Sequence, residues 1–282
     1  MAAASEALGL REIRGPSAFG GGWRRTWDLL WLISVTEFRV NYRDTVIGYA
    51  WSVIKPFAFF GIIYLVVNEV LRFGSHSGNF PLALILNLVL FQYFTEATSR
   101  AVRSISARES MVRKMQFPRI VIPLSVNMGA AINLGFNLIG IFLLFLIAGL
   151  DPRWTWLLLP VVLVLLIVLT TTLSMLLAVA FVRFRDVGEG WPLIVRALFY
   201  ATPILYPISI LPDKMQTLLA INPLSTLFTR AQIWVVDAGV QTNAELVGVV
   251  MGLLIPIAIT VLICVSGVWL FDREAPRVAE TL

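Results

Sequence analysis

Two long uncharged apolar runs, residues 120–150 and 154–182, constrain the fold more than any other feature of this sequence. A helix that crosses a bilayer needs roughly 20 predominantly apolar residues. Because lipid offers no hydrogen-bond partners, the backbone of such a run must satisfy its own polar groups by forming a helix. Only 14% of the 282 residues are charged, against about a quarter in a soluble domain. The sequence therefore predicts an all-α membrane protein.

Further apolar stretches bring the predicted number of transmembrane helices to six. The third and fourth are joined by only Gly149 to Arg153, so we expect them to form a tight hairpin. Residues 46–272 form the predicted transmembrane domain, between a flexible cytoplasmic tail at 1–22 and a second cytoplasmic tail at 273–282. The six predicted spans cover residues 50–71, 80–99, 120–149, 154–182, 191–211 and 245–271.

Residues 23–45 precede the first span and have the pattern of an amphipathic helix. Trp27, Leu30 and Trp31 recur at helical spacing, while several arginines and acidic residues rule out a spanning run. Such a helix, with large apolar side chains on one face and arginines near its ends, suits the plane of the membrane interface. An ordinary surface helix is the alternative that the pattern leaves open.

The segment 207–243 lies before the last span and contains two short apolar runs, 215–221 and 223–236. Each run is too short to cross the bilayer. Pro207, Pro212 and Pro223 interrupt the segment. We therefore predict two short re-entrant helices, because irregular backbone at membrane depth is tolerated where it lines a cavity or is covered by protein. An ordinary extracellular loop is the alternative.

The distribution of lysine and arginine predicts the orientation of the chain. With six spans, 18 of the 22 basic residues fall on one side of the membrane and four on the other. Cytoplasmic loops retain positive charge, so both termini are predicted to be cytoplasmic. The same distribution explains the net charge of +5 without nucleic acid, which we exclude as a partner.

The sequence lacks the groups that would let such a protein power transport by itself. It has no Gly-x4-Gly-Lys-Ser/Thr motif for ATP phosphates and no HExxH or GxSxG motif. The central parts of the predicted spans carry few ionisable side chains, whereas ion-coupled pumps keep such groups near the midplane. Cys264 is the only cysteine and His76 the only histidine. We therefore predict neither catalytic residues, nor a bound cofactor, nor a metal site.

Aromatic residues cluster near the ends of the predicted spans. Interfacial belts explain such clusters, and sugar-binding sites also use aromatic faces. The pattern leaves both explanations open. The candidates for lining a conduit are Phe57, Phe60, Tyr64, Phe91, Tyr93, Phe94, Phe199, Tyr200 and Tyr206.

Three stretches together resemble the permease subunits of ABC-2-type exporters of polysaccharides and teichoic acids (polyol phosphates), including O-antigen transporters. They are FRVNYRDTVIGYAWSVIKP at 38–56, ESMVRKMQFPRIVIPLS at 109–125, and the region 182–227 with its Arg-Asp, Pro-x-x-Tyr-Pro and Asn-Pro motifs. Ile47 stands where the family usually has leucine. With the six-span pattern, the resemblance covers most of residues 23–272.

The resemblance implies a homodimer of this chain bound to two copies of a separate ATPase subunit, which would carry ATP and Mg²⁺. The substrate would be a polysaccharide such as O antigen, teichoic acid or capsule on an undecaprenyl-pyrophosphate-type carrier, exported across a bacterial cytoplasmic membrane. Arginine forks bind phosphate and glycine permits close backbone approach, although basic residues here also follow from orientation alone. The pyrophosphate candidates are Arg39, Arg43, Ile47 and Gly48.

The amphipathic stretch 107–116 is the predicted coupling helix that would contact the ATPase, with a solvated loop helix as its alternative. The Arg-Asp pair between the fourth and fifth spans would form a second contact. The coupling candidates are Arg108, Glu109, Arg113, Lys114, Arg185 and Asp186.

Three other functions remain open from the residues. The chain is alternatively an ABC-2 permease for small drugs or lipids, a membrane-embedded enzyme such as a glycosyl transferase, or a channel or carrier that works alone. The enzyme is disfavoured because Asp44, Asp186 and Glu189 are its few acidic candidates at the interface.

Overall fold

A computed structural model describes residues 22–41, 50–66, 79–108, 119–237 and 239–281. Within these ranges the chain is α-helical and contains no β-strand. The described residues thus agree with the predicted all-α class.

Four helices are long and apolar enough to cross a membrane among the residues that the structure describes. They are α3 (Phe80–Val102), α4 (Val121–Ile147), α5 (Leu159–Arg183) and α10 (Ile255–Thr281). The 3-10 turn Trp154–Leu158 leads into α5, and the π-helical turn Val250–Leu254 leads into α10. The second, third and fourth predicted spans lie on these helices, whereas the sixth, 245–271, begins too early: Gly248, at a φ of +87°, separates its first residues from the continuous helical stretch that starts at Val250.

Helix α1 (Gly22–Asn41) packs against α4, and its backbone is helical over most of the predicted amphipathic segment 23–45. Leu30 and Ser34 are buried against the bundle, whereas Trp27 and Trp31 are about half exposed. A Cβ atom on Gly129 of α4 would lie 3.7 Å from the Ser34 carbonyl oxygen, so the two helices approach closely. One face of α1 is therefore covered by protein and the other presents large apolar side chains to its surroundings.

Helix α2 (Ala50–Leu65) occupies the described part of the first predicted span, whose residues 67–71 lie outside the described ranges. Pro56 lies inside α2, where its missing N–H removes one backbone hydrogen bond. The helix packs on α3 and α4. A Cβ atom on Gly140 of α4 would lie 3.1 Å from the Phe57 ring, so glycine makes room for that ring.

The fifth predicted span, 191–211, is wrong as a single helix. Helix α6 (Val187–Tyr200) has 14 residues and is followed by turns and a short 3-10 segment, Ile208–Ile210. Pro203 and Pro207 have no N–H to continue a helical ladder. The Thr202 hydroxyl donates to the Leu198 carbonyl at 2.7 Å inside the last turn. The apolar run continues past Tyr200, but its backbone does not continue as a helix.

Three shorter helices follow: α7 (Asp213–Ala220), α8 (Pro223–Val235) and α9 (Asn243–Val247). The first two coincide with the two short apolar runs of the sequence. Asn222 caps α8 by accepting from the Leu224 N–H at 3.0 Å, and Pro223 follows in the first turn, where an N–H is dispensable. Local capping therefore explains why the short runs form separate helices.

The core lies between α3, α4, α5 and α8. Its largest fully buried side chains include Phe94, Phe145 and Phe228. Helix α3 contributes buried side chains over most of its circumference, so it forms the centre of the described bundle. Helices α2 and α6 pack on this centre from outside, and the space between them forms the candidate site.

Candidate functional site: a cationic aromatic groove

A cavity of about 580 Å³ lies between α2, α3 and α6 and opens at the surface of the chain. We refer to it as the groove. Helix α3 forms its floor through residues that include Leu88 and Phe91, while α2 and α6 form its two walls. Helices α2 and α6 flank α3 without closing over it, so the cavity opens between the two walls, while Leu88 and Phe91 at its base are only 4% and 6% exposed.

Aromatic rings form a continuous surface along the groove. The Phe199 ring lies edge-on to Phe91 with centroids 5.3 Å apart, and edge-on to Tyr200 at the same separation. Phe59 of α2 approaches Phe199 of α6 with ring centroids 6.5 Å apart. Phe59 and Tyr200 are 48% and 64% exposed, so their ring surfaces remain available for contact.

Two basic side chains stand on the walls of this aromatic surface. Lys55 of α2 and Arg196 of α6 both line the groove and are exposed. The Lys55 ammonium lies 6.0 Å from the Trp51 ring centroid, at the outer limit of a cation–π contact. Within the described ranges, neither Lys55 nor Arg196 forms an ion pair. The groove therefore combines a mainly aromatic surface with two basic side chains that form no ion pair among the described residues.

A smaller pocket of about 230 Å³ adjoins the groove and shares Lys55, Gln92 and Thr95 with it. Its acidic member, Glu96, pairs with Arg100 at 3.0 Å. The other Glu96 oxygen accepts from the Asn133 side-chain amide at 2.8 Å. The carboxylate is thus held by a cation and an amide. The pocket continues the end of the groove that contains Lys55, Gln92 and Thr95, which we call the polar end.

The structure brings three of the nine predicted conduit aromatics onto the groove: Phe91, Phe199 and Tyr200. The other six lie elsewhere. Tyr93 and Phe94 are each only 2% exposed and belong to the bundle core. On α2, Phe60 stacks on Tyr64 with centroids 5.8 Å apart, and the Phe57 ring lies against α4. The Tyr206 hydroxyl donates to the Tyr200 carbonyl.

The list of predicted conduit residues omits seven residues that line the groove: Lys55, Phe59, Leu88, Gln92, Thr95, Val195 and Arg196. The helical spacing of these residues could have indicated which of them lie together. Lys55 and Phe59 are four residues apart, as are Arg196 and Tyr200, so each cation shares a helical face with an aromatic ring. Gln92 and Thr95 are three apart on α3 and likewise share a face.

Three of the four predicted pyrophosphate residues lie outside the described part of the chain. Arg43, Ile47 and Gly48 lie outside the described residues. Arg39 lies in the helical backbone of α1, and the position of its side chain is also outside the described part. Their role stays a prediction.

Of the predicted coupling residues, Glu109, Arg113 and Lys114 also lie outside the described ranges. Arg108 ends the 3-10 turn Ser106–Arg108 that follows α3, and burial lowers the pKa of its guanidinium from the ordinary value. Arg185 and Asp186 are exposed in the turn between α5 and α6. The two segments lie at the same end of the bundle, where Arg103 after α3 pairs with Glu189 of α6 at 2.8 Å.

Comparison with known proteins gives a consistent family. The profile of the ABC-2 type transporter family matches residues 28–234, which include all three helices of the groove. The O-antigen export system permease protein RfbA of Klebsiella pneumoniae is 30% identical over 202 residues, 71% of this chain and 77% of that protein.

Two further relatives extend the comparison. The protein of the same name from Myxococcus xanthus is 29% identical over 198 residues, 70% of this chain and 75% of that protein. The polysialic acid transport protein KpsM of Escherichia coli is 22% identical over 193 residues, 67% of this chain and 73% of that protein. The resemblance drawn from the three sequence stretches is confirmed: the chain belongs to the ABC-2 type transporter family.

Proposed function

We propose that this chain is the membrane-embedded permease subunit of an ATP-driven exporter that moves a lipid-linked polysaccharide across the bacterial cytoplasmic membrane. Relatives whose names specify O-antigen and polysialic acid export support the substrate class. The carrier would be of the undecaprenyl-pyrophosphate type, and the polymer would be O antigen, teichoic acid or capsule. The chain acts in transport and does not itself hydrolyse ATP.

The groove is the observation that carries this proposal. Sugar rings present apolar C–H groups that pack on aromatic faces, and Phe59, Phe199 and Tyr200 offer such faces along one side of the chain. Lys55 and Arg196 add positive charge for an anionic substrate. A groove open on one side is half of a conduit, so a second copy of the chain would close it as a homodimer.

The proposed topology has six spans with both termini in the cytoplasm. Helices α2 and α6 would complete the count of six beside α3, α4, α5 and α10. Helices α2 and α6 have only 16 and 14 residues, and backbone that is not helical at membrane depth is tolerated where it borders a cavity or protein. Helices α7 and α8 would be the two re-entrant helices at the outer face.

Energy would come from two copies of a separate ATPase subunit that bind ATP and Mg²⁺. The proposed contact surface is the end of the bundle where α3 ends and α6 begins. It contains the Ser106–Arg108 turn and the turn with Arg185 and Asp186, and it would extend into the coupling segment 107–116.

The test is co-purification with an ABC ATPase subunit co-expressed from the same genome, followed by reconstitution into liposomes. ATP hydrolysis should rise when the lipid-linked polysaccharide is added, and polymer should appear in the lumen. Phe199→Ala should lower transport about fivefold, because an aromatic contact contributes about 1 kcal/mol beyond area burial.

Leu193→Ala provides the matched control, since Leu193 lies on the same helix, is 69% exposed, and does not line the groove. Transport that continues without the ATPase would contradict the proposal. ATP hydrolysis stimulated by small hydrophobic drugs and not by glycan would assign the chain to the other branch of the family.

A further inference from the structure

We infer that the polar end of the groove is a binding site for a diphosphate, which lies between Lys55 on one wall and Arg196 on the other. This inference rests on the proposed function, since it places the anionic link between the lipid and the sugar of the exported glycolipid. The site is distinct from the arginines of residues 39–43 on which the sequence prediction centred.

Charge gives the first argument. Three basic residues, Lys55, Arg100 and Arg196, and one acidic residue, Glu96, border the groove and its adjoining pocket. Glu96 is already paired with Arg100 and hydrogen-bonded by Asn133, so its charge is satisfied locally. Within the described residues, two formal positive charges remain. A diphosphate diester carries two negative charges and matches them, whereas the phosphodiester of an ordinary phospholipid carries one.

The aromatic surroundings of the two cations give the second argument. Exposed basic side chains beside apolar surface persist where they reach water, pair with an anion or face a polar path. Lys55 and Arg196 share their cavity with Phe59, Phe91 and Phe199. An anion between the two cations would convert this unfavourable arrangement into charge-assisted hydrogen bonds.

Unsatisfied hydrogen-bonding capacity gives the third argument. Thr95 lines both the groove and the adjoining pocket, and its hydroxyl is buried without a hydrogen-bond partner among the described residues. A buried hydroxyl without a partner costs free energy. Gln92, one turn earlier on α3, lines both cavities as well. The Gln92 amide is able to donate to a phosphate oxygen from the floor, whereas the Thr95 hydroxyl has to turn toward the cavity before it donates.

The order of residues along the walls fixes the orientation of the bound molecule. Arg103 at the end of α3 pairs with Glu189 near the start of α6, so α6 runs antiparallel to α3. Trp51 borders the pocket that contains Arg100, whereas Phe59 borders the cavity that contains Leu88, so α2 also runs antiparallel to α3. Helices α2 and α6 are therefore parallel to each other.

On both walls the cation precedes an aromatic residue by four positions: Lys55 by Phe59, and Arg196 by Tyr200. Four residues correspond to about 6 Å along a helix. A diphosphate between the cations thus places the first sugar against the rings of Phe59 and Tyr200. The pair of cations thus matches the diphosphate, and the pair of aromatic rings matches the adjacent sugar of the same molecule.

The experiment measures binding to the permease–ATPase complex in nanodiscs. The probe is a polyprenyl-diphosphate-linked monosaccharide, compared with a polyprenyl-monophosphate-linked sugar and with phosphatidylglycerol as competitors. Wild type should prefer the diphosphate probe, and Lys55→Gln and Arg196→Gln should each weaken its binding about tenfold, because each removes one charged phosphate contact. Arg196→Lys, which keeps the charge, should recover part of the affinity.

Thr95→Val provides a variant that should not disturb the fold, since it removes a hydroxyl without a described partner at nearly constant volume. It should weaken the probe about threefold. Arg153→Gln and Lys214→Gln are matched controls, because both residues are exposed and lie in segments at the opposite end of the bundle. Their binding should equal that of the wild type.

Equal binding of the diphosphate probe by wild type, Lys55→Gln and Arg196→Gln would overturn the inference. Equal competition by phosphatidylglycerol would also overturn it, since the groove would then be a general site for anionic lipid. Failure of the proposed function is recognised separately: in that case the wild-type complex itself transports no lipid-linked glycan. If the wild-type complex transports the glycan and the variants also bind and transport it normally, only the diphosphate-binding site is refuted.

Discussion

The guanidinium of Arg103 donates to the Glu189 carboxylate at 2.8 Å and thereby joins the residue after α3 to the first turn of α6. The same guanidinium lies 5.9 Å from the centroid of the Phe181 ring in the last turns of α5. A Cβ atom on Gly188 would lie 2.6 Å from that ring, so glycine permits the close approach. Arg103 therefore links the ends of three helices beside both predicted ATPase contacts.

This ion pair should matter for coupling more than for stability. Its side chains are 61% and 86% exposed, and exposed pairs contribute at most about 1 kcal/mol. We expect Arg103→Glu to leave the melting temperature of the purified chain nearly unchanged. It should lower substrate-stimulated ATP hydrolysis of the complex by up to about fivefold, because repulsion from Glu189 would shift α6 relative to α3.

The charge-reversed double variant, Arg103→Glu with Glu189→Arg, is the control for this prediction. It restores an opposite-charge pair across the same two positions. Substrate-stimulated hydrolysis in the double variant should therefore be higher than the sum of the two single effects predicts. If the double variant were as impaired as the sum of the two single variants, the pair would have no role in coupling.

Glu96 should contribute substantially to the stability of the bundle. Its side chain is 15% exposed, and it both pairs with Arg100 and accepts from Asn133. Glu96→Ala leaves the Asn133 amide without this acceptor, so the free energy of unfolding should fall by about 1–3 kcal/mol. Glu96→Gln keeps an acceptor oxygen and should cost less. Thermal unfolding in detergent would measure both, and an unchanged melting temperature in Glu96→Ala would contradict the prediction.

Much of the fold could be predicted because the long apolar runs leave the backbone few options. The runs 120–150 and 154–182 have to be helices if they cross lipid, and they contain α4 and α5. The end of the helix in the fifth predicted span was missed because hydropathy does not record whether the backbone can continue its hydrogen bonds. Residues 201–211 are as apolar as a span, yet Pro203 and Pro207 cannot extend the helical ladder.

The site could be predicted only in part, for two physical reasons. Helix α3 is buried over most of its circumference, so periodicity could not separate Phe91, which reaches the groove, from Phe94, which fills the core. Lys55 and Arg196 were counted as signals of orientation, since any basic residue near a cytoplasmic end satisfies that rule. That α2 and α6 bring these two cations to one cavity depends on tertiary packing.

Gly267 should be a site where one methyl group disrupts helix packing. A Cβ atom there would lie 2.5 Å from the Thr172 carbonyl oxygen, so α10 would have to move away from α5. Gly267→Ala should lower the free energy of unfolding by about 1–3 kcal/mol, the usual cost of overpacking. Gly135→Ala is the matched control, because no atom lies within 4 Å of the added Cβ. A melting temperature equally unaffected in both variants would contradict the close contact.

Asn222 should hold the segment between α6 and α8 in place through one side chain with two functions. Its side-chain oxygen accepts from the Leu224 N–H and caps α8, while its amide nitrogen donates to the Thr202 hydroxyl at 2.9 Å and to the Ala201 carbonyl at 3.2 Å. The cap and the tether to the end of α6 are therefore separable by substitution. Asn222→Asp keeps the cap and loses the donors, whereas Asn222→Ala loses both.

We expect Asn222→Ala to destabilise the segment by about 2 kcal/mol and Asn222→Asp by roughly half as much, because a cap and a buried hydrogen bond each contribute about 1 kcal/mol. Hydrogen exchange of the amides in residues 201–225 reports this locally. The Asp variant should accelerate exchange around residues 201–204 while leaving the first turn of α8 protected. Acceleration confined to the first turn of α8 in Asn222→Asp would show that the donors to α6 contribute nothing.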